Sequence, residues 1–342
     1  MKITINDVAR HAGVSIKTVS RVMNNEPSVR KDTVDKVQAA ITELQYQPNA
    51  AARNLASSRS FSIGYIYDNP NAYYVIDMQR GLLDACRKHG YELIIHPTNA
   101  KSPDIVQEVL ELVQQSRLAG LVLTPPFSEM PHIASALEKI GVPFVRIISG
   151  STPSPKLSNC VLIDDFTAAF KITSHLLELG HTDIAFLCGD EEHSSSGERL
   201  AGYQAALAKR GIAANPKFIV PGSYSFESGV QGAKKLMELS KKPTAIFACN
   251  DEIAAGALFS ARLMHIAIPQ QLAIAGFENS PFSRQTWPPL TTANQPNSTI
   301  ASQAAELLFR HTRPGNTRSA VEQQPVFSPE LLVRESTAIC PR

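Results

Sequence analysis

Hydrophobic and polar positions change rhythm twice along the chain. Over the first 45 residues the apolar positions recur at helical spacing. Ile5, Val8, Ala9 and Ala12 make one face, Gly13 ends that helix at low steric cost, and Ser15 can cap a second one. In the second helix Val19 and Val22 can face the first, leaving Ile16, Lys17 and Arg21 outside. After a turn-rich stretch with Pro27, a third helix is predicted over 31–45, with Val34, Val37, Ile41 and Leu44 as its buried stripe. Pro48 then breaks the pattern. Asn49 can cap a short Ala-rich helix, Ala50 to Ala56, before the linker-like Ser57, Ser58, Arg59 and Ser60.

From Phe61 the pattern becomes strand–helix alternation. Apolar runs at 61–67, 91–96, 118–124 and 142–148 form one series, with helical stretches near 77–89, 103–116 and 130–140 between them. A second series follows at 160–163, 183–188, 217–220, 244–249 and 272–277, with helices near 166–179, 198–210, 226–240 and 252–265. LTTANQ (290–295), a helix over 297–311 and a strand in ELLVRES end the chain. Val/Ile/Leu runs separated by helices predict parallel sheets covered on both faces, and two series predict two α/β lobes. A ligand then belongs at the carboxyl ends of the strands, in the crevice between lobes. The polar residues there are Asp68, Asn69, Asn71, Asp164, Asp165, His193 to Arg199, Asn250, Asp251, Glu278 and Asn279. Asp251 also reads as the cap of the helix that begins beside it.

Charge sharpens this division. Residues 1–60 hold nine Lys/Arg against five Asp/Glu, while the remainder holds 24 against 26. A basic head on a slightly acidic body is the footprint of a nucleic-acid module. A compact helix–turn–helix with Ile16, Lys17 and Arg21 outward can enter a DNA major groove, although helix–Gly–helix is also a common core unit. Leu55 has two readings from its own stretch: packing on a neighbouring domain, or a wedge into the minor groove from a helix formed against DNA and a second copy.

The five cysteines are odd in number and widely spaced, which predicts buried thiols and a reducing compartment. No apolar run approaches the ~20 residues of a membrane span, and the first twenty residues do not read as a signal peptide. A cytoplasmic location is expected. GxGxxG, GxxxxGKS/T, HExxH, GxSxG and paired metal-ligand spacings are absent, so no enzyme, cofactor or metal is expected.

Eight segments in order resemble one family: INDVARHAGVSIKTVSRVMNN, YQPNAAARNLASSRS, GLLDAC, HLLELGHTDIAFL, ERLAGYQAAL, AIFACNDEIAAGAL, LAIAGFENSP and PPLTTANQP. That family is the lactose/galactose repressor (LacI/GalR) family of bacterial transcription regulators, and the resemblance covers essentially the whole chain. It implies a helix-turn-helix DNA-binding domain over 1–47, a hinge helix and linker over 48–60, and an effector-binding and dimerisation domain over 61–342. The last resembles a periplasmic sugar receptor, with lobe 1 at about 61–160 plus 296–325 and lobe 2 at about 161–295 plus 326–342, joined by three crossovers.

The resemblance also implies roles. Ile16, Lys17 and Arg21 would read bases, while Ser15, Thr18 and Asn24 would hold phosphates and Thr4 would cap the first helix near the backbone. Leu55 would be the minor-groove wedge, with Ala52 and Arg53 beside it. Tyr73, Tyr74, His193, Ser195, Arg199, Tyr224, Asn250 and Glu278 would line the effector cleft. The partners implied are a palindromic double-stranded operator, a small effector such as a sugar, and a second copy in a homodimer. Two departures stand out: Glu278 in GFEN where Asp is usual, and Ser149 where several members have an acid. A nucleoside-responsive regulator and a stand-alone sugar-binding receptor are the competing readings.

Overall fold

The computed structural model describes residues 3–23, 29–46, 60–69, 71–152, 159–312 and 324–340. The chain divides into two units, residues 1–61 and 62–342. In the first unit, α1 (Ile5–Ala12), α2 (Ile16–Met23) and α3 (Lys31–Glu43) close a small core. Val8, Val19 and Val37, one from each helix, are fully buried at its centre. Ala40 joins them from α3, while Val34, Ile41 and Leu44 are only partly covered. Gly13 adopts φ +66°, and a Cβ there would meet no atom within 4 Å, so its glycine is required by backbone conformation rather than by space.

The second unit contains two parallel sheets. The first has the order β11–β5–β4–β3–β1–β2, formed by β1 (Ser62–Tyr67), β2 (Glu92–Pro97), β3 (Gly120–Leu123), β4 (Phe144–Ser149), β5 (Cys160–Ile163) and β11 (Val326–Phe327). Its apolar side chains feed two cores, one beneath α4 (Ala72–His89) and α12 (Asn297–Thr312), the other beneath α5 (Ile105–Gln115) and α6 (Pro131–Lys139). Coverage on both faces is why its strands read as continuous apolar runs.

The second sheet has the order β7–β6–β8–β9, formed by β6 (Ile184–Leu187), β7 (Ile219–Val220), β8 (Ala245–Ala248) and β9 (Ala273–Ala275). Around it pack α7 (Asp165–Glu178), α8 (Ser194–Lys209), α9 (Phe226–Met237) and α10 (Asp251–Leu263), sharing one core. The backbones of α9 and α10 approach so closely that a Cβ on Gly229 would stand 2.0 Å from the Ile253 carbonyl, and one on Gly256 2.0 Å from that of Phe226. A short α11 (Pro281–Gln285) precedes the antiparallel pair β10 (Thr292–Asn294) and β12 (Glu330–Leu332).

Several sequence expectations change. Cys160–Ile163, assigned to the second series, pairs with β4 and completes the first sheet. The chain then crosses to the second sheet at α7, returns at α12, and crosses again between β11 and β12. Val326–Phe327, a strand too short to notice in sequence, lies beside β5. KFIV is half a helical turn, with only Ile219 and Val220 extended. Trp287, in the loop before Pro288 and Pro289, is 75% exposed. No helix among the described residues is long and apolar enough to cross a membrane.

Candidate functional site

In the head, local hydrogen bonds fix the helix starts. The Asp7 carboxylate accepts from the Thr4 hydroxyl at 2.7 Å and the Thr4 amide at 2.9 Å, and these bonds, the hydroxyl's first, pull its pKa below the usual carboxylate range. The Ser15 hydroxyl accepts from the Thr18 amide at 3.1 Å and lies 2.9 Å from the Thr18 hydroxyl. These bonds leave Ile16, Lys17 and Arg21 exposed together on α2, with Ile16 half exposed. Asn24, Ala52, Arg53 and Leu55 lie outside the described residues.

In the body, the carboxyl ends of both sheets border a cleft holding about 500 Å³ of space unfilled by protein. Seven of the eight residues expected there line it: Tyr74, His193, Ser195, Arg199, Tyr224, Asn250 and Glu278. Tyr73 does not. It lies on the first turn of α4 and stands edge-on to Phe282, with ring centroids 5.5 Å apart. Successive helical residues point about 100° apart, so Tyr73 and Tyr74 cannot both face one wall.

Arg199 anchors the polar wall. It is 3% exposed, and its guanidinium lies 3.7 Å over the Phe277 ring. Its Nε donates to Asp165 at 2.8 Å, its Nη1 to the Cys249 carbonyl at 2.7 Å and its Nη2 to Gln295 at 3.3 Å. Glu278 stands 3.8 Å from Nη1. Burial works against the cation, yet Asp165 and Glu278 hold its pKa above the ordinary value. Arg199 is therefore not the open fork for ligand hydroxyls that its position in the chain implied; most of its donors already serve the protein.

The carboxylates around it differ. Asp165, buried, also accepts from the Ser149 hydroxyl at 2.6 Å, so the serine that departs from the family pattern supports the acid of the next crossover. Glu278 accepts from Asn71 at 2.9 Å, across from the first sheet's side. Burial pushes its pKa up to about 8, with Arg199 opposing and Asp251 and Asp165 adding to the rise. Its φ of +100°, followed by +56° at Asn279, turns the chain out of the strand end and into the cleft.

Asn250, not Asp251, caps α10: its side-chain oxygen accepts from the Ile253 amide at 2.9 Å. The same side chain's Nδ2 is buried without a hydrogen-bond partner. Asp251 is fully buried, accepting from the Ser280 amide at 2.7 Å and the Thr292 hydroxyl at 2.6 Å. Burial raises its pKa to about 7, while those bonds oppose the shift. Tyr224 lies against the Gly189 backbone, where a Cβ would come within 2.5 Å of its ring. Its hydroxyl is 3.1 Å from that of Ser195 and accepts from Ser196 at 2.9 Å. His193, tilted 5.5 Å from the Tyr224 ring, has its pKa lowered chiefly by burial.

The first-sheet side carries an apolar patch, Pro125, Ile147, Ile148 and Ile163, among the polar Asn69, Asn71 and Ser149. Sequence reading missed the four residues of that patch and Gln295. Apolar side chains at strand ends look like core, and Gln295 joins the site only because the second crossover brings it under Arg199. Contacts across the mouth hold the two sides together. Glu129, after β3, accepts from the Ser194 amide at 3.0 Å and also from its hydroxyl, and Lys101 is 3.4 Å from Glu192.

Two family models match the chain: bacterial regulatory proteins of the lacI family over residues 4–49, and a periplasmic binding protein-like domain over 173–337. Catabolite control protein A of Priestia megaterium is 33% identical over 326 residues, covering 95% of this chain and 97% of that protein. The solved complex of the transcriptional regulator CelR with cellobiose superposes with a TM-score of 0.73 at 26% identity, over 98% of this chain and 99% of that one. The lac repressor dimer bound to operator and the anti-inducer ONPF shares the fold, with a TM-score of 0.77 at 24% identity over 99% and 100% of the two chains. The exposed face of α2 and the polar cleft in the body accordingly have one explanation: the chain belongs to the lacI family of bacterial transcription regulators, a family of DNA-binding proteins that answer to small effectors rather than of enzymes.

Proposed function

We propose that the protein is a cytoplasmic homodimeric repressor of carbohydrate-utilisation genes, releasing a palindromic operator when a sugar-like effector occupies the cleft. The observation that carries this reading is the asymmetry of the cleft. One side offers Asp165, Glu278 and the unpartnered Asn250 Nδ2; the first-sheet side adds an apolar patch of Pro125 and three isoleucines set among Asn69, Asn71, Tyr74 and Ser149. A pyranose has the matching pair of surfaces, hydroxyls on its rim and C–H groups on its faces. CelR, solved with cellobiose, is a relative of this fold whose ligand has those surfaces.

In the head, Ile16, Lys17 and Arg21 would read the major groove, with Ser15, Thr18, Thr4 and Asn24 placing the backbone. Leu55, flanked by Ala52 and Arg53, would wedge the centre of the palindrome. Effector and operator would then oppose one another through a coupling that linkage makes reciprocal. A labelled inverted repeat from the upstream region of the chain's own gene should shift with the full-length protein, and one member of a sugar panel should reverse the shift. No shift on any palindrome at low or moderate salt would refute the regulator reading, and reversal by a nucleoside alone would replace the sugar.

The mouth contacts yield a milder expectation. Glu129 satisfies an amide at the start of α8 that His193, the preceding cap residue, leaves without a side-chain partner. Glu129→Ala should weaken effector affinity about 3- to 10-fold, the scale of one charge-assisted hydrogen bond, without changing operator affinity in the absence of effector. Titration of the operator shift with effector measures both.

A further inference from the structure

We infer that the cleft, whose reading as an effector site this presupposes, selects an uncharged polyhydroxylated ligand and rejects its phosphorylated counterpart. Sugars and sugar phosphates share hydroxyls, so the distinction rests on charge and on free N–H donors.

Among the described residues lining the cleft, Arg199 is the one Lys or Arg. Three of its five N–H groups, one on each nitrogen, already donate to protein oxygens, and Phe277 covers one of its faces. Against this single cation stands Asp165 at 2.8 Å, and Glu278, 3.8 Å from the guanidinium, adds a second negative charge once the pH passes its raised pKa of about 8. His193 does not add a charge, because burial favours its neutral form.

Helix N-termini are the other common source of anion-binding donors. Four border the cleft, and each already has an acceptor. At α4, the Asn71 side chain accepts from the Tyr73 and Tyr74 amides at 3.1 and 3.2 Å. At α7, Asp164 accepts from the Thr167 amide at 3.0 Å, with Asp165 in the same turn. At α8, Glu129 accepts from the Ser194 amide. At α10, Asn250 caps the helix, and Asp251 and Glu252 occupy the first turn.

A phosphate ester carries ~1.5–2 negative charges at neutral pH and needs several donors in return. Here it would meet the Asp165 carboxylate, a protonated Glu278 and helix-start amides already in use. A neutral sugar meets complementary groups instead, its hydroxyls donating to Asp165 and Glu278 and accepting from Asn250 Nδ2. The sequence gives no hint of this, since serines and an arginine at helix starts look equally like a phosphate cradle.

The test is isothermal titration of the full-length protein with matched pairs: glucose and glucose 6-phosphate, cellobiose and its 6-phosphate, adenosine and AMP. Thermal shift with inorganic phosphate, against chloride at equal ionic strength, runs beside it. The neutral member of the binding pair should bind about 100-fold or more tightly than its ester, since a desolvated anion beside a carboxylate is strongly disfavoured. Inorganic phosphate should give no saturable stabilisation. An ester that binds as well as its parent, or saturable protection by inorganic phosphate, would overturn the inference while leaving the sugar reading intact. Adenosine binding without AMP or sugar binding would do the reverse. Glu278→Gln supplies a second measurement: titrated at pH 9, where Glu278 is mainly ionised in the wild type, it should shrink the neutral-to-ester ratio. An unchanged ratio would show that this carboxylate takes no part in the rejection.

Discussion

Arg199→Met should cost the body about 3–5 kcal/mol of stability and abolish the response to effector. Removing the cation leaves Asp165, 1% exposed, without its partner at 2.8 Å. It also orphans the Cys249 carbonyl and Gln295. Breaking one side of a buried pair is penalised far more than the intact pair stabilises, because the remaining charge stays desolvated. Methionine keeps the aliphatic stem, so the loss reports mainly the guanidinium's ion pair, its hydrogen bonds and its stacking on Phe277. Urea unfolding of the full chain at pH 7, followed by circular dichroism, measures the cost. A change below about 1 kcal/mol would mean that Asp165 does not need the guanidinium. Should the variant fail to accumulate, Arg199→Lys offers a graded form: it retains the charge but loses the three-point fork, and an intermediate loss is expected.

The second large effect is a dependence on pH. Glu278 has a folded pKa raised to about 8, well above that of an unfolded glutamate. Between those two values the folded state binds a proton that the unfolded state has lost. Stability from this group is therefore complete at low pH and drains away as pH rises toward 8, by up to about 1.4 kcal/mol per pH unit. Asp251, raised to about 7, adds to the slope in the same direction. Glu278→Gln fixes the neutral form. Its stability relative to wild type should climb steadily from pH 5 to pH 8, while wild type and variant nearly coincide at pH 5. Denaturant midpoints taken at half-unit pH intervals will show it. A constant offset across that range would mean that Glu278 is ionised throughout, held by Arg199 despite its burial.

Much of this molecule was readable from its residues. The three-helix head followed from Val8, Val19 and Val37 at helical spacing and from Gly13, whose left-handed backbone the structure shows. The βα rhythm of the body was equally plain. Allegiance of individual strands was not: four apolar residues such as Cys160–Ile163 carry no mark of which sheet they join. That choice is made by the crossover after Ile163 and by pairing with Arg146–Ser149. In the site, Arg199, Asn250 and Glu278 were named because polar residues at strand ends are exceptional. The role of each within the cleft depended on neighbours distant in sequence. Arg199 proved to be largely occupied, Asn250 half-occupied, and Tyr73 turned away toward Phe282. Ile147, Ile148 and Ile163 were invisible as ligand-facing residues because apolar strand residues are the rule.

The threefold crossing between sheets also sets an order of assembly. Every strand of the β7–β6–β8–β9 sheet lies within residues 184–275, an uninterrupted stretch. The other sheet begins at Ser62, yet its last strand is Val326–Phe327, and the α12 helix that covers α4 spans 297–312. A chain emerging from the ribosome can therefore close its second sheet while the first still shows the apolar face of α4 and one open edge of β5. The second lobe then awaits the edge contacts that Ser336 and Cys340 make with Ile274 and Leu179. The earlier-made sheet is the later to finish, and until residue 327 has been synthesised it is the surface most in need of a chaperone.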